Sequence, residues 1–167
     1  ASLVGSEMCI RDSDRCWEII QEARQYLKDQ GIDQWQNEYP DRNSVAGDVM
    51  KGNGYVITEN GRIIGYACIS FDKEECYETL RGTWKSIQPY GVIHRLAIGN
   101  SHKGKGLGSL MLHRAEELCR SRGIHSIKID TDQDNGAMRH LLEKNGYEYC
   151  GVVTFDNSDK IAFEKLI

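Results

Sequence analysis

Apolar residues recur along this chain at two different periods, and the switches between them predict its elements. Cys16, Ile19, Ile20, Ala23 and Leu27 fall at helical spacing. They predict an amphipathic helix with Asp12 or Ser13 as its cap and Gly31 as its stop. The polar and aromatic stretch 33–40 (DQWQNEYP) reads as a loop, and 43–51 as a short helix. Two β-rich runs, 55–58 and 62–71, flank Asn60-Gly61, a strong two-residue hairpin signal. Residues 72–89 lack either period and read as irregular, with one helical turn at most. A strand over 92–98 leads through glycines at 104–108 into a second helix, with Leu107, Leu110, Met111, Ala115 and Leu118 on one face and Gly123 at its end. A strand at 126–130, a helix at 135–145 stopping at Gly146, and strands at 147–155 and 160–166 paired around 156–159 complete the chain. The segment MCIR, residues 8–11, has the composition for a first strand. Strands outnumber helices and several are hairpin-linked, so a mixed α/β sheet flanked by helices follows.

The chain of 167 residues suits one domain. At that size folding buries roughly 68–70% of the unfolded surface, enough for a core without staples. A formal net charge of −4, with basic residues scattered, builds no nucleic-acid face. No apolar run approaches the roughly 18 residues that a membrane span needs. Of the six cysteines none forms a C-x-x-C pair, so neither a zinc site nor a thioredoxin-like motif is expected, and no metal is assigned. Cys16, Cys68 and Cys119 fall in apolar patterns as small core residues, which fits a reducing, cytoplasmic setting. Residues 1–13 resemble a segment that recurs as an artefact of translated assemblies. They are read as non-native, and 14–167 as the functional domain.

The chemically informative segment is Lys103-Gly104-Lys105-Gly106-Leu107-Gly108, between a strand and an amphipathic helix. A helix N-terminus presents unpaired N–H groups and the positive end of a dipole, and glycines let that backbone approach an anion. The string G-x-x-x-x-G-K-[ST] of a Walker A loop is absent. In a G-x-G-x-x-G fingerprint begun at Gly104 and Gly106, the third glycine position holds Ser109. A glycine-rich connection without ligand is the remaining alternative.

The segment resembles motif A of the GNAT acetyltransferase superfamily, [RQ]-x-x-G-x-[GA], with Lys103, Gly106 and Gly108 at the defining positions. Lysine there keeps a donor but loses the planar fork of arginine. Downstream, NGAMRHLLEKNGY resembles motif B, N-x-x-A-x-x-L-Y-E-K-x-G-F: Asn135, Leu141, Glu143, Lys144 and Gly146 match, Met138 replaces Ala and Tyr147 replaces Phe. The resemblance implies a mostly antiparallel central sheet of about six to seven strands in a single α/β domain. It implies acetyl-CoA as co-substrate and a small-molecule or peptide amine as acceptor, and it is compatible with a homodimer. Lys103, Gly104, Lys105, Gly106, Leu107, Gly108 and Ser109 would then hold the CoA pyrophosphate. The backbone of Leu96, Ala97 and Ile98 would receive the acetyl carbonyl and pantetheine arm, and Asn135 would hydrogen-bond the pantetheine, unless it is a plain cap.

Acetylating an alkylammonium requires removal of a proton, since its pKa lies near ~10. His94, on the strand before the glycine loop, is the candidate base, at the place where the serotonin acetyltransferase type of the family carries a histidine implicated in proton removal. A hydrogen-bonded histidine on a mostly apolar face is the alternative. The tyrosine that in the family protonates the leaving thiolate falls at Leu142, which leaves Tyr147 as a substitute acid or as a core residue. For the acceptor, Trp35 and Glu38 in the first loop, Tyr77 in the irregular stretch, and Asp130 and Thr131 at a strand end are the candidates. The missing tyrosine keeps open a module that binds acyl-CoA without turnover.

Overall fold

A computed structural model describes residues 2–5 and 10–167 of the chain, with side chains from residue 12 onward. The elements are β1 (Ser2–Gly5), α1 (Ile10–Asp29), α2 (Arg42–Met50), β2 (Gly54–Glu59), β3 (Arg62–Ser70), α3 (Glu75–Glu78), β4 (Arg81–Gly82), β5 (Gly91–Ile98), α4 (Leu107–Ser121), β6 (Ser126–Thr131), α5 (Gly136–Lys144), β7 (Glu148–Phe155) and β8 (Ser158–Leu166), with a 3-10 turn at Asn100–His102. The α/β class and the mixed sheet are as expected. The strand order is β1-β2-β3-β5-β6-β8-β7-β4. β5 and β6 run parallel, as two strands joined by a helical crossover must, whereas the β1–β2, β2–β3, β6–β8, β7–β8 and β4–β7 pairs are antiparallel.

Contacts divide the chain into two compact units, with the boundary inside β5. The first comprises residues up to Ile69 together with His94–Arg114. Its core joins Cys16, Ile19 and Ile20 of α1, Val45 of α2, and Val56, Tyr66 and Ala97 from three strands. The predicted stripe of α1 is therefore its buried face. α2 opens with a capping box: Asp41 accepts a 2.8 Å bond from the Ser44 amide, and the Asp41 amide donates to the Ser44 hydroxyl.

The second unit comprises Ser70–Ile93 and Ala115–Ile167. Tyr77, Val92, Val153 and Ala162 form a core cluster in it, with Cys76, Leu80, Trp84 and Tyr90 packed against them.

Four local expectations are corrected. The first strand is Ser2–Gly5; of the MCIR segment, Met8 and Cys9 lie outside the described residues, and Ile10 and Arg11 open α1. Asp12 and Ser13 therefore stand inside α1, where a first-turn carboxylate interacts with the same positive helix end that a cap would serve. The stretch 72–89 holds, besides the one helical turn allowed for (α3), a strand that was not expected, β4. β4 pairs with β7 where two glycines meet: a Cβ on Gly82 would lie 2.1 Å from the Cys150 carbonyl oxygen, and one on Gly151 would lie 2.3 Å from that of Arg81. No periodicity marks so close an approach. Finally, the β7–β8 turn is only Asp156-Asn157, both at positive φ, so Ser158 and Asp159 already belong to β8.

Candidate active site

In the first unit, β5 passes through Gly99 and the 3-10 turn into the glycine loop. Gly104 and Gly106 have φ of +76° and +75°, and a Cβ at either would meet nothing within 4 Å. The glycines are therefore required by backbone conformation, and open space lies against them. Gly104, Lys105 and Gly106 are exposed. The helical ladder of α4 begins with the Leu110 amide donating to the Gly106 carbonyl at 3.0 Å, so the amides of Leu107 and Gly108 precede it. Exposed turn backbone, a helix N-terminus and Lys105 form an arrangement that can hold a pyrophosphate.

The base of the loop is tied down. The Asn100 amide donates to Glu22 of α1 at 2.8 Å, and the Gly99 amide to the Ile64 carbonyl at 2.8 Å. The Lys103 ammonium lies 3.4 Å from the centre of the Tyr26 ring, and burial lowers its pKa from the ordinary lysine value. His102 pairs with Glu59 at 3.3 Å.

His94 is half-buried on β5, and the residue after it interrupts the strand: Arg95 has φ of +53°. Its guanidinium forks onto Asp48 of α2, Nε to Oδ2 at 2.8 Å and Nη2 to Oδ1 at 2.5 Å, and donates to the Tyr39 hydroxyl. The Tyr66 hydroxyl donates to the same Asp48 carboxylate at 2.5 Å. The Arg95 and Asp48 side chains are only 11% and 9% exposed, and breaking such a buried pair costs about 3–5 kcal/mol. Burial alone would lower the Arg95 pKa, but the bonds it donates to Asp48 outweigh that and hold the guanidinium charged. Burial and the nearby Asp48 push the Cys68 thiol up to about 12. Beyond the interruption Ala97 joins the core under α1 and α2, while Ile98 lies against Gly65, where an added Cβ would stand 2.9 Å from its Cδ1.

The first-loop candidates flank this network. Trp35 (φ +65°) packs half-buried against the core, and Glu38 (φ +61°) is exposed. The Tyr39–Pro40 peptide is cis. The loop is held by Arg24 donating to the Pro40 carbonyl at 3.1 Å and by Gln36 donating to the Arg24 carbonyl at 3.0 Å. Sequence reasoning missed Arg95, Asp48 and Tyr66. The available signal was an arginine inside the apolar run VIHRLAI, where a buried charge demands a partner.

In the second unit, Asn135 caps α5, its side chain accepting from the Met138 amide at 3.1 Å. Leu142, at the family's tyrosine position, is fully buried. Tyr147 is only 2% exposed, and among the described residues its hydroxyl finds no hydrogen-bond partner. Burial raises its pKa well above the ordinary phenol value, and Glu116 of α4 adds to the rise.

Asp130 and Tyr77, both acceptor candidates, bond to each other, the Tyr77 hydroxyl donating at 2.6 Å. Thr131 is buried. The Trp84 indole donates to the Tyr77 carbonyl at 2.9 Å, and the Lys128 ammonium lies 4.2 and 4.1 Å from the Trp84 and Tyr90 ring centres. Buried Glu164 of β8 accepts from the amides of Lys85 (2.5 Å) and Ser86 (3.2 Å) and from the hydroxyls of Ser86 and Ser126 (both 2.9 Å), fastening the segment after β4 to the sheet.

The sequence profile of the acetyltransferase (GNAT) family matches residues 15–147. The chain belongs to that family. The crystal structure of a GNAT-family acetyltransferase from Streptococcus agalactiae 2603 is 32% identical and superposes with a TM-score of 0.88, covering 99% of this chain and 95% of that one. The uncharacterized N-acetyltransferase YesJ of Bacillus subtilis is 26% identical over 163 residues, 93% of this chain and 86% of that protein. The L-methionine sulfoximine/L-methionine sulfone acetyltransferase of Pseudomonas aeruginosa is 30% identical over 91 residues, 54% of this chain and about half (47%) of that protein's length. This GNAT-family chain is accordingly an acetyltransferase with acetyl-CoA as its co-substrate, and its acceptors are amines. Among the described residues no group of three or more His, Cys, Asp or Glu is placed to hold a metal ion, and no helix is long and apolar enough to cross a membrane.

Proposed function

We propose that this chain moves the acetyl group of acetyl-CoA directly to a primary amine while both substrates are bound. The carrying observation is the exposed, positive-φ turn at Gly104–Gly106 running into the N-terminus of α4, a backbone anion site. In this reading Lys103, Gly104, Lys105, Gly106, Leu107, Gly108 and Ser109 hold the pyrophosphate. The backbone of Leu96, Ala97 and Ile98, in the same unit, takes the acetyl and pantetheine portions; in the second unit Asn135 is the candidate for an amide contact. The acceptor candidates are Trp35 and Glu38 within the first unit, and Tyr77, Asp130 and Thr131 within the second.

The chemistry needs one proton moved. His94 takes it from the ammonium; the neutral nitrogen attacks the thioester carbonyl, the C–S bond breaks, and CoA leaves as a thiolate that is protonated by water or by the amide-forming nitrogen. The burial of Tyr147 favours reading it as a core residue, with the proton returned in that way. Direct transfer is supported by Cys150, whose thiol is pushed up by burial and donates to the Glu148 carbonyl at 3.4 Å, a poor nucleophile for an acyl-enzyme.

Calorimetric titration with acetyl-CoA, with ATP and NADH as controls, tests the donor site; binding of acetyl-CoA alone is expected. Thiol release is then followed with an amine panel beginning with methionine sulfoximine, the acceptor named for the Pseudomonas relative, and including polyamines and peptide N-termini. Binding without release from any amine would overturn the transferase mechanism. Absence of acetyl-CoA binding would overturn the donor site as well.

A further inference from the structure

Among the described residues, the non-glycine positions at positive φ lie in loops and turns, with one exception: Arg95, inside β5. A long side chain gains nothing from that conformation, and a residue held there is held by its surroundings. The surroundings are specific. Asp48 grips Nε and Nη2 from α2, Tyr66 fixes Asp48 from β3, and the Tyr39 hydroxyl takes Nη1 from the 33–40 loop. His94 precedes the bend and Leu96 follows it, so the backbone at Arg95 sets the direction in which each presents its groups. The same guanidinium binds the loop that carries Trp35 and Glu38.

We propose that Arg95 is a positioning residue that makes the 33–40 loop and the His94 strand one mechanical unit, so that a displacement of the loop by the acceptor is transmitted to β5 through the Tyr39–Arg95–Asp48 chain. This rests on the reading of His94 as base and of the loop as acceptor-binding. The arrangement explains why the buried cation is an arginine: one planar head bonds a carboxylate with two nitrogens while offering a third to Tyr39, which an ammonium at this position does not reproduce. It also explains why Asp48 and Tyr66 are polar although buried.

The test uses two variants of the full chain. Tyr39→Phe removes only the hydroxyl that joins the loop to Arg95 and keeps the ring, so the melting temperature should stay within about 5 °C of the parent. Hydrogen exchange followed by mass spectrometry should show both the 33–40 and the 93–98 peptides exchanging about tenfold faster. With an acetylated amine in hand, the acceptor KM should rise about tenfold while the KM for acetyl-CoA is unchanged. Arg95→Lys keeps the charge but loses the fork, and should lower kcat by about tenfold or more even where acceptor KM is saturated. Faster exchange confined to 33–40, or unchanged exchange in both segments, overturns the coupling, and that readout needs no turnover. A parent protein that acetylates no amine overturns the proposed function, and the exchange result then still decides the coupling.

Discussion

The Tyr77 hydroxyl donates a 2.6 Å hydrogen bond to Oδ1 of Asp130, so two residues picked separately as acceptor ligands are partners of each other. Tyr77 is almost wholly buried, and its ring stands 5.2 Å from that of Trp84. Tyr77→Phe keeps the ring packing and removes the bond. A hydrogen bond to a charged group is worth about 1.5–3 kcal/mol, and urea unfolding should register a loss of that order with an unchanged slope. An unaltered midpoint would mean that Asp130 finds another donor at no cost.

Gly106→Val separates binding from folding. The φ of +75° costs a β-branched residue about 1–2 kcal/mol, but no atom lies within 4 Å of the new Cβ to clash with it. Circular dichroism should therefore show a folded protein with a modestly lower melting temperature. Calorimetry should show no acetyl-CoA binding, because the side chain fills the space against the turn. Affinity retained in the folded variant would remove the turn from the donor site.

For His94→Ala the expectation is a fall in kcat of roughly 10²–10⁴ with acetyl-CoA affinity preserved, since the side chain is assigned proton removal and not donor binding. Rates are compared at saturating amine across pH. A variant as fast as the parent at pH 7 would strip His94 of that role.

Alkaline pH should destabilise the fold through its buried thiols. Burial pushes Cys16 and Cys68 up to about 12 and Cys119 up to about 11, against roughly 8.5 in an unfolded chain. Below pH ~8.5 both states keep these protons and nothing is lost. Above it the unfolded chain ionises first, so stability drops as pH climbs toward the folded values of about 11 and 12. Urea midpoints at pH 8, 9.5 and 11 should decline in that order, and a flat series would contradict the burial of these groups. Thiol labelling at pH 8 should leave all three cysteines unmodified until denaturant is added.

Much of the architecture was legible because it is set by neighbours in sequence. The stripe of α1, the turn at Asn60-Gly61 and the stop at Gly146 each depend on residues within a few positions of one another. So does the glycine turn, since Gly104, Gly106 and the stripe of α4 are contiguous. What escaped was short or distant. β4 is two residues long and exists because Gly82 meets Gly151, whereas the single turn of α3 falls in the stretch where one helical turn was allowed.

By itself, then, the sequence determined the order of the longer elements, the acetyl-CoA family through its two motifs, and the residue types available for proton transfer. The tertiary structure alone decided their environments. Arg95 finds Asp48 across 47 positions, Ser86 finds Glu164 across 78, and Tyr77 finds Asp130 across 53. Local periodicity reports which face of an element is apolar, whereas partners so far apart are chosen only when loop closure has been overcome and buried polar groups must be satisfied by whatever the packed fold brings beside them.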